Sequence, residues 1–171
     1  MSRRDLILSF FIFGALFIIQ EAFINQVHLP FTGFNLILIS ALTWSALSSP
    51  ESAAVTGFVS GAYLDLSPAT DAPFGLWTLI MVIAAYSVAY FGASDETAKA
   101  NPVGLIGLVS VAVVATEMLY LFVGVLFGLS FGSFFQMIRT LIGFGIWSAI
   151  IVPIITPFVT RLRSLLYTSS L

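Results

Sequence analysis

Long apolar segments separated by short polar connections make up most of this chain, and they restrict the kinds of fold it can adopt. Of its 171 residues, 59% are hydrophobic and 8% are charged, whereas a soluble domain typically carries about 25% charged residues. So few charged side chains cannot cover the water-facing surface of a chain of this length. The sequence therefore predicts an all-α integral membrane protein, because a helix satisfies its own backbone hydrogen bonds inside the bilayer.

The apolar segments are numerous enough for about six transmembrane helices. One span needs roughly 20 residues, so we expect a single transmembrane domain over residues 1–171 with no separate soluble domain. The predicted helices cover residues 6–19, 34–47, 53–66, 75–92, 103–127 and 136–159. Pro153 and Pro157 lie late in the last segment, and we expect them to bend or break it because proline lacks a backbone donor.

The basic residues predict the orientation of this bundle. Six spans place both termini on the same side of the membrane, and most basic residues then share that side. Lysine and arginine are retained in the cytoplasm, so both termini are predicted to be cytoplasmic. No small-residue cleavage site follows the first apolar segment, which is therefore predicted to be a membrane helix and not a cleaved signal. The residues on the cytoplasmic side are Arg3, Arg4, Lys99, Arg161 and Arg163, with Arg139 as the exception.

Composition also argues against several classes of function. The net charge of −2 provides no basic surface for nucleic acid. The absence of cysteine excludes disulfides and thiolate metal sites, and the single histidine, His28, cannot form a zinc site alone. Ser60 is a candidate serine nucleophile, but such a residue needs a histidine base within hydrogen-bond reach, and His28 lies in an outer connection. We expect no catalytic centre, no cofactor and no metal.

Small residues recur at intervals of four in the third predicted helix. Ala53, Gly57, Gly61 and Asp65 share one side of that helix, and a stripe of small residues lets another helix approach closely. The stripe is either a packing face inside this chain or a docking face for a partner's helix. Asp65 is either a solvated or helix-capping acid, or an acid that fixes a neighbouring chain segment or binds a partner.

Two charged residues lie within later apolar segments. Glu117 falls near the middle of the fifth predicted helix, and Arg139 lies early in the sixth. Charged groups inside a membrane generally pair with one another or mark a transport path. An intramembrane ion pair of Arg139 with Glu117 or with Asp65 is the favoured interpretation, and an ion or proton pathway is the alternative.

The central stretch of the chain resembles a known family. Family members of the rod-shape-determining membrane protein MreD typically carry Gly-Phe-x-x-Gly-x-x-x-Asp and then Pro-Leu-Gly at the start of the next helix. This chain has the same pattern, with phenylalanine at the usual leucine position. The matching residues are Gly57, Phe58, Gly61, Asp65, Pro73, Phe74 and Gly75.

The resemblance implies a fold and a function. MreD proteins are similar in fold to the substrate-binding subunits of energy-coupling-factor vitamin transporters, which are six-helix bundles. They are non-catalytic scaffold subunits of the bacterial cell-elongation complex in the cytoplasmic membrane. Their partner is the single-span protein MreC, which connects them to MreB filaments and to the synthases of side-wall peptidoglycan. Gly57, Gly61, Asp65 and the turn Pro73–Gly75 become candidates for a partner or packing interface.

The same fold leaves one alternative function open, that of a substrate-binding subunit of a vitamin transporter. Such a subunit needs a polar pocket near the outer face of the membrane. The candidate residues for that pocket are His28, Asp65, Asp71 and Trp77.

Overall fold

A computed structural model describes residues 3–26, 34–68, 72–94 and 101–168. Over these ranges the protein is all-helical, with six α-helices, one 3-10 turn at Ile24–Gln26 and no strand. The predicted all-α class is confirmed, and each predicted segment contains one helix. The helices are α1 (Arg3–Ala22), α2 (Leu36–Ala46), α3 (Pro50–Asp65), α4 (Leu76–Ser94), α5 (Pro102–Leu126) and α6 (Phe134–Thr168).

Two of these helices combine the length and the apolar composition of a membrane span. Within the described ranges, two helical segments, Pro102–Leu126 and Phe134–Ser164, are long and apolar enough to cross a membrane. Only 28% of the apolar window of each is buried, so the remaining side chains of each window are partly or fully exposed. By contrast, α2 has 11 residues and α3 has 16, which gives lengths of about 17 and 24 Å against a hydrocarbon core of about 30 Å. Length and apolar composition together thus support two of the six predicted spans.

Helix α2 forms the centre of the bundle. Every residue from Ile37 to Ala46 is buried, and α2 contacts each of the other five helices. Asn35 begins the helix, and its Oδ1 accepts a hydrogen bond from the Leu38 N–H at 3.0 Å. A short helix that is apolar on all sides is typical of a core element, which explains why α2 can be surrounded by the longer helices.

Helices α3 and α4 run antiparallel and pack closely. Gly57 faces Met81 and Ala85, whereas Gly61, one turn later, faces Trp77 and Thr78. The order of contacts is therefore reversed along the two helices. The two helices are consecutive in the chain, so this contact is local in sequence.

Helix α6 differs from the sequence prediction. It continues from Phe134 to Thr168 through Pro153 and Pro157, so of the predicted bend or break the break is wrong, as is the predicted end at residue 159. Each proline removes one backbone donor, and the rest of the helical hydrogen bonding persists. Arg163 lies within the helix, where its Nη1 donates to the Trp44 carbonyl oxygen at 3.4 Å near the end of α2.

Candidate functional site

The glycine stripe is occupied by the chain's own fourth helix. A Cβ atom added to Gly57 would lie 2.4 Å from the Met81 carbonyl oxygen, and one added to Gly61 would lie 2.6 Å from Thr78 Cα. Both positions are buried. Of the two predicted roles for this stripe, the structure places the glycines in packing within the chain, and the face is closed to a partner.

Asp65, the last residue of α3, caps the first turn of α4. Its Oδ1 accepts from the Trp77 N–H at 2.9 Å, and its Oδ2 accepts from the Thr78 N–H at 3.0 Å and the Thr78 hydroxyl at 2.5 Å. The first backbone N–H groups of a helix have no acceptor inside the helix, so a carboxylate placed there meets both an unfilled donor and the positive end of the helix dipole. Asp65 therefore fixes a neighbouring segment of its own chain.

The turn between α3 and α4 is shaped by Gly75. Its φ is +97°, in the left-handed region that favours glycine, and no described atom lies within 4 Å of where its Cβ would be. The conformation, and not lack of space, requires glycine. Pro73 lies just before it and accepts a hydrogen bond at its carbonyl oxygen from the Leu76 N–H at 3.1 Å. Phe74 is 76% exposed, so this ring is available at the surface.

Glu117 lies in a cavity at one end of the bundle. The side chain is 5% exposed, and its Oε1 has no hydrogen-bond partner among the described residues. The cavity has a volume of about 360 Å³ and is bounded by the ends of α1 to α4 and by α5 and α6. A buried carboxyl oxygen without a donor costs free energy, which marks this position as a candidate binding site.

Arg139 and the two acids predicted to pair with it lie in different environments, and the ion pair stays a prediction. Glu117 is buried and lines the cavity, whereas Arg139 is exposed. The residue after Arg139, Thr140, is one of the lining residues of the cavity. Both oxygens of Asp65 accept hydrogen bonds from the start of α4. The structure thus brings Glu117 to the cavity and Asp65 to the α3–α4 turn, at separate positions.

The cavity wall combines polar and aromatic side chains. Gln20 Oε1 accepts from the Leu36 N–H at 2.7 Å, and the Ser67 hydroxyl donates to Glu21 Oε1. These bonds hold the wall together between distant segments. The polar lining residues are Gln20, Glu21, Asn35, Ser67, Glu117 and Thr140, and the aromatic ones are Phe34, Trp77, Tyr120, Phe131 and Phe144.

The sequence analysis found part of this site. Trp77, one of the four predicted pocket residues, lines the cavity, whereas Asp65 is used as the cap of α4. His28 and Asp71 lie outside the described residues. Gln20, Glu21 and Tyr120 were missed as site residues, although polar residues at the end of an apolar segment are a signal that can point to a pocket. Over the described ranges, no three His, Cys, Asp or Glu side chains come together to hold a metal ion.

A second, apolar depression lies between α4 and α5. Its volume is about 280 Å³, and small residues such as Ala84, Ala112 and Ala115 contribute to its walls. Small residues allow the close approach of another helix in a membrane. This groove is distinct from the cavity around Glu117.

The chain matches no protein-family model, no curated protein and no solved structure. The resemblance to the MreD family therefore rests on the motif residues of α3 and of the turn into α4.

Proposed function

We propose that this protein is a non-catalytic scaffold subunit of the bacterial cell-elongation complex, which binds an MreC-like single-span protein and supports side-wall peptidoglycan synthesis. The observation that carries the proposal is the α3–α4 joint. Gly57 and Gly61 bring the helices together, Asp65 caps α4 and Gly75 shapes the turn. These are the residues of the MreD resemblance, and they perform structural tasks consistent with a scaffold.

The proposed location is the bacterial cytoplasmic membrane, with a multi-pass arrangement and both termini in the cytoplasm. The outward apolar faces of α5 and α6 support contact with membrane lipid, since large exposed apolar side chains such as Phe122 and Ile142 line them. The distribution of lysine and arginine supports the orientation. MreB filaments inside the cell and cell-wall synthases outside it are then indirect partners.

The partner's helix must bind a face other than the glycine stripe, which α4 covers. The groove between α4 and α5 is a suitable face, because Ala84, Ala112 and Ala115 leave room for close helix packing. The occupant proposed here is the single transmembrane helix of the MreC-like protein. Its apolar side chains would replace lipid against this groove.

Co-purification from native membranes tests the function. The tagged protein, extracted in mild detergent, should bring with it a single-span MreC-like protein and cell-wall synthases. A photo-crosslinking residue at Ala115, inside the groove, should capture the single-span partner, whereas one at Val125, exposed on the same helix but outside the groove, should not. Recovery of neither the single-span protein nor the synthases would contradict the scaffold function.

The second candidate function is that of a substrate-binding subunit of a vitamin transporter. The cavity around Glu117 favours it, because polar groups there converge among aromatic walls, as in many small-molecule sites. Co-purification separates the two functions: ATP-binding transporter subunits or a bound vitamin would support the transporter subunit and contradict the scaffold.

A further inference from the structure

We infer that the cavity at the end of the bundle binds an organic ammonium group, with the Glu117 carboxylate as its counter-ion. This site goes beyond the scaffold function and does not depend on it. The inference rests on three observations: the position of Glu117, the charges of the cavity wall and the aromatic side chains around it.

Glu117 has a buried carboxyl oxygen that lacks a hydrogen-bond donor among the described residues. The side chain is 5% exposed and lines the cavity, and within the described part of the chain Oε1 receives no hydrogen bond. Leaving such a group unsatisfied in the protein interior costs free energy. A ligand that enters the cavity with an N–H donor removes that cost, and a charged donor does so more strongly than a neutral one.

The charges of the wall determine the sign of the ligand. Glu21 and Glu117 are the acids among the described lining residues, which contain no lysine, arginine or histidine. Oε1 of Glu21 already accepts a hydrogen bond from Ser67, so Glu117 is the better placed counter-ion. An anion would meet no basic side chain among these described residues, whereas an ammonium group would meet a carboxyl group able to act as its counter-ion.

The aromatic side chains determine the kind of cation. Trp77 and Tyr120 are stacked with ring centroids 4.1 Å apart, and Phe131 meets Tyr120 edge-on at 5.6 Å. Aromatic faces attract ammonium groups and also pack against an apolar body. A bare metal ion suits the site less well, because the described residues offer no cluster of three metal ligands. The volume of about 360 Å³ is that of a small-molecule site.

An ammonium group of this kind can come from two sources. One is a free amine with a compact apolar or aromatic body, and the other is the ethanolamine headgroup of a membrane lipid. Both present the same N–H donors and the same positive charge to Glu117. The experiment therefore tests the shared chemistry first and then separates the sources.

The test uses the full chain in phosphatidylglycerol nanodiscs and measures binding by calorimetry, with the heats of empty nanodiscs of the same lipid subtracted, because the anionic lipid itself attracts ammonium probes. The probes are benzylammonium, phenethylammonium and tryptammonium, each beside the alcohol of the same shape. At least one ammonium probe should bind about tenfold or more tightly than its alcohol, as expected for a charge-assisted hydrogen bond. If no ammonium probe binds more tightly than its alcohol, the inference is wrong.

Variants assign the effect to Glu117. Glu117→Gln keeps the shape and removes the charge, and it should abolish the preference for ammonium over alcohol. Glu51→Gln is the matched control, since Glu51 is an exposed acid in the first turn of α3, and it should retain the wild-type preference. A folded Glu117→Gln protein that still prefers ammonium would overturn the assignment. If Glu117→Gln does not fold, Glu117→Met provides a second neutral variant. The comparison of ammonium and alcohol probes on the unchanged protein does not depend on either variant.

Phosphatidylethanolamine nanodiscs separate the two sources. If the lipid headgroup is the natural occupant, it competes with the amine probe, and the apparent affinity falls as the fraction of this lipid rises. An unchanged affinity assigns the site to a free amine. Either result is compatible with the ammonium site, because the competition is measured only after the preference for ammonium over alcohol has been established. The competition then identifies the source of the ammonium group.

Discussion

Asp65 and Thr78 are joined by two hydrogen bonds across the turn between α3 and α4. The Thr78 N–H donates to Asp65 Oδ2 at 3.0 Å, and the Thr78 hydroxyl donates to the same oxygen at 2.5 Å. The end of one helix is thereby fixed to the start of the next. This relationship explains why an acid follows a stripe of small residues: the stripe brings α3 and α4 together, and the acid sets their register.

Replacing Asp65 by alanine should therefore destabilise the protein. Asp65→Ala removes the acceptors of the Trp77 N–H and of both Thr78 donors, and loss of a helix cap typically costs about 1–2 kcal/mol. Reversible unfolding in mixed detergent micelles measures the free energy. Glu51→Ala, which removes an exposed acid near the start of α3, is the control and should cost less. Equal stability of Asp65→Ala and the unchanged protein would show that packing alone fixes the joint.

This part of the fold could be predicted from the sequence because its signals are local. Apolar segments located all six helices, and spacings of four residues placed Gly57, Gly61 and Asp65 on one face. The break predicted at Pro153 and Pro157 failed because one missing donor does not end a helix whose remaining backbone hydrogen bonds persist.

The cavity could not be predicted in the same way. Its wall joins Glu21 to Ser67 and Gln20 to the start of α2, and these contacts depend on the packing of helices that are distant in sequence. Glu117 was recognised as a buried charge, but a sequence does not show whether such a group meets a cation or a cavity. The sequence suggested Arg139 as the partner of Glu117; Arg139 is exposed in the structure, and the ion pair stays a prediction.

Alanine at either glycine of the stripe should weaken the α3–α4 contact. At Gly57 and Gly61 the new Cβ atom would meet backbone atoms at 2.4 and 2.6 Å, and overpacking of this kind typically costs about 1–3 kcal/mol. Gly61→Leu should be more damaging still and should lower the yield of folded protein. Thermal unfolding followed by size-exclusion chromatography measures both effects.

Gly107→Ala is the matched control for these substitutions. Gly107 lies inside α5, and no described atom comes within 4 Å of its added Cβ. Alanine is favoured over glycine inside a helix by about 0.5–1 kcal/mol, so this variant should be neutral or slightly stabilised. If Gly57→Ala and Gly61→Ala are as stable as Gly107→Ala, then α3 and α4 do not pack as closely as the structure indicates.

A double-mutant cycle tests the ion-pair hypothesis for Glu117 and Arg139. If the two side chains paired, Glu117→Gln and Arg139→Gln would each cost more alone than expected from the double variant. The burial of Glu117 Oε1 in the cavity and the exposure of Arg139 instead predict effects on unfolding free energy that add to within about 0.5 kcal/mol. A coupling energy clearly above that value would restore the ion pair and remove Glu117 from the role of counter-ion.

Glu117→Met should separate stability from binding. Methionine has a similar length and adapts to irregular cavities, and it replaces a buried carboxyl with an apolar group. Because replacing a buried, incompletely satisfied polar group by an apolar one is often neutral or stabilising, the variant should unfold at the same or a higher denaturant concentration than the unchanged protein. It should also lose the preference for ammonium probes. A residue kept only for packing would show the opposite result, a loss of stability with unchanged binding, so the two measurements on one variant distinguish a binding carboxylate from a structural one.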